Sequence, residues 1–178
     1  MNKSLSLILY TLSLAVILWF PVSKIIKFET SQDFMEIKFK ATVHDPYDPM
    51  RGRYVQLSVL PNKWMAPKEM SWNGQDGYAV IKKDPTGFAQ IIRLEKNFPQ
   101  LQNGECAVKV NQVYSQWDHE KQKETGEYTF SLPFDRFYLN ELKAPELEQE
   151  LQNFGTVMTL KVKIFRDGSF AVTGLEKP

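Results

Sequence analysis

Met35-Glu36-Ile37-Lys38-Phe39-Lys40-Ala41-Thr42-Val43 is the stretch that decides the fold. Apolar Met35, Ile37, Phe39, Ala41 and Val43 alternate with Glu36, Lys38, Lys40 and Thr42, a period of two that a β-strand turns into one dry face and one wet face. The alternation runs into His44-Asp45-Pro46-Tyr47-Asp48-Pro49. Each proline there disfavours helix at the residue before it, and aspartates can bond nearby backbone amides, so the chain is expected to turn. Residues 54–60 read as a second strand ended by Pro61. Residues 78–81 and 88–94 read as a hairpin around Asp84-Pro85-Thr86-Gly87, with proline second and glycine fourth as a type I turn prefers. Further on, residues 107–116 and 127–132 read as paired strands joined by a polar, exposed arm over 118–126. Residues 156–165 and 169–175 flank Arg166-Asp167-Gly168, a hairpin signal that staples the C-terminus into the sheet. One helix is predicted over 144–153, with Pro145 in its first turn, Leu147 and Leu151 on one face and Gly155 just past its end. The fold class expected is mainly β, a partly closed barrel or a sandwich of antiparallel strands, with this C-terminal-half helix over one open end. Residues 60–77, which carry Trp64, Met65, Met70 and Trp72, resist assignment. They read as a covering of the core, with a lid or a membrane-contacting flap as alternatives.

Upstream of this body lies a segment of different character. Residues 5–22 are apolar and uncharged, and as a helix they reach roughly 27 Å, just short of a bilayer's hydrocarbon core. Trp19 and Phe20 suit the membrane interface, and Pro21, Lys24 and Lys27 would end the buried part. Pro21-Val22-Ser23-Lys24 is a poor cleavage site, so an uncleaved signal anchor over residues 1–23 is preferred to a cleaved signal, leaving 24–178 as the exported domain. Apolar side chains on all sides of the segment argue against a helix of a soluble core. Lysines flank both ends, so charge does not set the orientation. Export of the C-terminal domain is expected because N-terminal signal-like segments lead the chain across.

The whole chain has 178 residues, 24% of them charged and 43% hydrophobic, with a formal net charge of +1. That fits one folded domain plus a targeting segment and makes nucleic acid a poor partner. Cys106, the sole cysteine, has no second thiol for a disulfide or redox pair and reads as a small buried apolar residue. His44 and His119 show no zinc spacing, and Asp45 with Asp48 lacks the third acidic ligand that calcium would want, so neither metal nor cofactor is expected.

Arg51-Gly52-Arg53-Tyr54-Val55-Gln56-Leu57, with the Asp-Pro pairs before it, resembles the signature of the bacterial GDYXXLXY family. The frame kept is Arg51, Gly52, Tyr54 and Leu57, while Arg53 stands in place of the motif aspartate and Val59 in place of its last tyrosine. Roles specific to those two side chains do not carry over. Phe134-Asp135-Arg136-Phe137-Tyr138-Leu139-Asn140-Glu141 is similar to the family's second signature, an aromatic segment before a helix that carries a glutamate. The resemblance implies an exported protein held by a single span in the bacterial inner (cytoplasmic) membrane, its C-terminal domain in the periplasm or at the cell exterior. Such proteins are often encoded beside multi-pass membrane proteins, and no activity comes with the family.

Asp45, Asp48, Arg51, Arg136 and Glu141 are therefore the charged candidates. If the two signatures meet, an arginine–carboxylate pair would fix the loop against the helix, or Arg51 and Arg136 together would face an anionic or peptide-terminus ligand. The function expected is an accessory or binding module for an integral membrane partner or an envelope ligand. The alternative is an envelope hydrolase. Arg51 to Leu57 and Tyr78-Ala79-Val80-Ile81-Lys82-Lys83 faintly resemble the strand boxes of type I signal peptidases, but the serine box is missing. Lys82 then has no matched nucleophile to activate.

Overall fold

The computed structural model describes residues 3–45, 54–67, 70, 72–118, 123–138 and 157–177. The chain divides into two compact units, Met1–Phe34 and Met35–Pro178.

The first unit is a 28-residue helix, α1 (Lys3–Thr30), with a mean hydropathy of 2.1 over its most apolar window and no buried residue. It is long and apolar enough to cross a membrane. Several of its hydroxyls are turned back on its own backbone: Ser13 Oγ donates to Leu9 O at 2.8 Å, Ser23 Oγ to Phe20 O at 2.9 Å and Thr30 Oγ1 to Ile26 O at 2.7 Å. Thr11 Oγ1 is placed between the Leu7 and Ile8 carbonyls, 3.0 Å from each. Polar side chains satisfied in this way leave little to pull the helix into water. Pro21 lies inside the helix rather than at its end.

The second unit is strand-built. Its elements are β1 (Phe34–Asp45), β2 (Tyr54–Leu60), β3 (Lys63–Met65), β4 (Asn73–Lys83), β5 (Ala89–Glu95), β6 (Glu105–Asp118), β7 (Lys123–Ser131), β8 (Arg136–Tyr138), β9 (Val157–Phe165) and β10 (Phe170–Glu176). They form two five-stranded sheets, ordered β10-β9-β1-β2-β8 and β3-β7-β6-β4-β5. The mainly β class expected from the alternation is the one observed, and both sheets are nearly closed. Trp64 Nε1 donates to Ile92 O at 3.1 Å, drawing the edge strands β3 and β5 of the second sheet together. Lys38 N donates to Gly87 O at 3.0 Å and so ties the first sheet to the second.

The inward parities of the two sheets share one core. Ile37, Phe39 and Ala41 of β1 and Leu160, Val162 and Ile164 of β9 meet Ala79 and Ile81 of β4 and Val108 and Val110 of β6. Three aromatic rings stack through it: Phe39 to Phe134 at 4.8 Å and Phe134 to Phe170 at 5.4 Å between centroids. Cys106 is buried as expected, and burial, aided by the charge of Glu105, pushes its thiol up to about 12. It is a packing residue and not a nucleophile.

Turns follow the sequence signals. Asp84 Oδ1 accepts from Thr86 N, Thr86 Oγ1 and Phe88 N at 2.7–2.8 Å. Gly87 supplies the positive φ of 90° that closes the β4–β5 hairpin. Asp167 Oδ1 plays the same part for Ser169 between β9 and β10. The 118–126 arm is shorter than the sequence suggested. β6 and β7 stay paired out to Trp117↔Glu124 and Asp118↔Lys123. Residues 60–77 likewise include β3 and the start of β4. Trp72 is 4% exposed and packed into the core, which is the covering role anticipated for this stretch. The helix predicted at 144–153 lies outside the described residues.

The connection from β5 to β6 is pinned by charge. Arg93 donates to Glu105 Oε1 and Oε2 at 3.0 and 3.1 Å, to Glu95 at 2.7 Å and to Gln100 O at 3.1 Å. The Arg93 guanidinium, with Gln102 N, holds the Glu105 carboxyl below its usual value of 4.5. A depressed carboxylate contributes stability that is present above its unfolded pKa and lost as the pH falls through its folded one. Glu105→Gln is therefore expected to lower stability at neutral pH and to flatten the pH dependence below about 4.5, read by urea unfolding across an acid series. In the same assay at neutral pH, Phe39→Ala should cost about 3–5 kcal/mol, because it removes a fully buried ring and its contact with Phe134.

Candidate functional site

The two signature segments come together through the backbone. β8 is the described part of the second signature, and it pairs antiparallel with β2, the strand of the first: Tyr54↔Tyr138, Val55↔Phe137 and Gln56↔Arg136. Leu57 N then donates to Asp135 O at 2.7 Å, extending the contact past the last paired residue. Burial sets which of the second segment's side chains face outward. Leu132 and Phe134 are buried and Phe137 is packed against the core, so Asp135 and Arg136 are left at the surface.

A third strand joins this row. Asp45 ends β1 opposite Gln56, after a register shift between Val43 and Asp45. Asp45, Gln56 and Arg136 thus occupy successive positions across β1, β2 and β8, the outer two separated by roughly 10 Å at the backbone. Leu57, adjacent to the row, is 4% exposed and belongs to the core. Tyr54 lies at the start of β2, opposite Tyr138. The remaining candidates Asp48, Arg51, Gly52 and Glu141 lie outside the described residues, and with them any arginine–carboxylate pair that involves Arg51 or Glu141.

Clefts flank the signature pair on both sides. One, of about 250 Å³, runs between β2 and β7, with Leu57, Val59 and Phe130 beneath and Gln56, Ser58, Asn62, Ser131 and Asp135 at its rim. It exists because β8 covers only the first half of β2, while β3 covers β7 only up to Thr129. Phe130 N donating to Asn62 O at 3.0 Å closes its far end. The other cleft, of about 500 Å³, is lined by Arg136, Phe137, Phe170 and Val172. The first cleft is built to exchange hydrogen bonds, and the second offers aromatic surface beside a cation.

Acyl-transfer chemistry would require a base beside Ser58 or Ser131. Asp135 is the one ionisable side chain among the described residues lining that cleft. The described residues also contain no group of three or more His, Cys, Asp or Glu side chains suited to a metal ion.

Sequence reasoning singled out Arg136 and Asp45 but missed Gln56, Asp135 and the cleft. A three-residue strand with apolar residues at 134 and 137 has neither a period of two nor enough length to announce itself.

No curated protein sequence and no solved structure matches the chain. The family model described as GDYXXLXY protein matches residues 13–175, nearly the full length. The chain is a member of the GDYXXLXY protein family.

Proposed function

We propose that this protein is a membrane-anchored accessory module of the bacterial envelope. In this reading α1 spans the inner membrane and the strand-built unit, exported, binds an integral membrane partner or envelope ligand through the β1–β2–β8 row and its clefts. The observation that carries the reading is the pairing of β2 with β8. The described parts of the two segments that resemble family signatures lie side by side there, with a cleft on either side. Supporting it, the exposed members of the row are a carboxamide and a guanidinium, groups suited to hydrogen-bonded recognition. Among the described residues, the rim of the β2–β7 cleft offers hydroxyls, amides and one carboxylate without a lysine or histidine to activate them.

A photo-reactive amino acid placed at Gln56 in cells tests this reading. The expected product is a discrete adduct with one integral membrane protein, weakened several-fold by Arg136→Ala and absent when the probe sits at Thr173 on β10. Arg136 is exposed, so even with the loss of a surface interaction Arg136→Ala should cost no more than about 1 kcal/mol. Equal, diffuse adducts from both probe positions, or none from Gln56, would overturn the reading.

A further inference from the structure

The outer face of the first sheet carries a site that the signature region does not involve. On β1 the inward Ile37, Phe39 and Ala41 leave Lys38 and Lys40 on the opposite face. On β9, next in the sheet, the inward Leu160, Val162 and Ile164 leave Lys161 and Lys163 on that same outer side. Four lysines thus share one sheet face with Glu36, and Glu176 engages Lys161 at 2.6 Å. At the end of this face, Lys38 and Lys40 border a groove of about 470 Å³ floored by Leu60, Pro61 and Phe88. Leu60 is a large apolar side chain left 42% exposed there. Lys40 Nζ lies 5.8 Å from the centroid of the Phe88 ring. Asp84, on the same rim, is occupied by three donors of its own turn.

We infer that this groove binds the phosphate-bearing head of an anionic phospholipid. Two ammonium groups over an apolar floor match a molecule that is anionic at one end and hydrocarbon at the other. A fully soluble anion would use only the ammonium half of that surface. Lysines this close to an anionic membrane surface each contribute roughly fivefold in affinity, a gain that falls to Lys38 and Lys40 because Lys161 is paired with Glu176. The inference rests on the reading of α1 as a membrane anchor, which would keep such a lipid at high local concentration.

The test is lysine footprinting of the full chain in nanodiscs of phosphatidylcholine, with or without a minority of phosphatidylglycerol. Reaction with a soluble acylating reagent is read at each lysine by mass spectrometry. Phosphatidylglycerol should slow acylation of Lys38 and Lys40 by roughly fivefold or more, while Lys96 and Lys109 on the second sheet keep their rates. K38Q should partly restore reactivity at Lys40, and raised salt should restore it at both. Unchanged rates at Lys38 and Lys40, or equal slowing at Lys96 and Lys109, would overturn the inference with the anchor reading intact. Equal protection by inorganic phosphate in pure phosphatidylcholine discs would reassign the site to a free anion and overturn the lipid. Elution of the chain apart from the discs would remove the anchor reading and the bilayer lipid with it.

Discussion

Everything in this chain follows from how its apolar surface is divided. Leu7, Ile8, Leu12, Val16, Ile17, Trp19 and Phe20 of α1 are each more than 60% exposed. At about 1.5–3 kcal/mol per large side chain, leaving these seven in water forfeits on the order of 10 kcal/mol. That is as much as the whole stability of an ordinary domain. The strand-built unit shows the opposite habit, burying side chains such as Phe39, Phe134, Tyr128 and Leu160 almost completely. An apolar surface left this bare belongs to a helix long and apolar enough to cross a membrane. The hydroxyls of Thr11, Ser13, Ser23 and Thr30, bonded back to its carbonyls, suit such a surface.

Within the strand-built unit, the signature residues divide their labour. Leu57, Phe134 and Phe137 are drawn inward and fix where β2 and β8 lie. Gln56, Asp135 and Arg136 are thereby set outward, at positions their own chemistry does not determine. The backbone ladder of β2 with β8 joins the two segments. Their buried members set which side chains reach the surface.

Much of the fold was legible in the sequence, for identifiable reasons. β1 and β9 alternate cleanly because one face is dry, and Asp84-Pro85-Thr86-Gly87 and Arg166-Asp167-Gly168 turn because an aspartate and a glycine provide the bonds and the φ that tight turns require. β3 and β8 were not legible. Each has three residues, and each is held by a long-range contact, Trp64 to Ile92 and Leu57 to Asp135, that no local pattern encodes. The site was legible only in part. Arg136 and Asp45 could be named as charged members of motifs, but their shared row depends on Gln56 and on the register shift before Asp45. The β2–β7 cleft arises from where two short strands end, a property of pairing rather than of residue type.

The measurement that bears most directly on the account is fractionation of the full-length chain after alkaline carbonate treatment of cell envelopes. The account predicts that the protein stays in the membrane pellet and is released only by detergent, with its strand-built unit digested by protease added to spheroplasts. Recovery of the intact chain in the carbonate supernatant, or in cytosol without detergent, would contradict it.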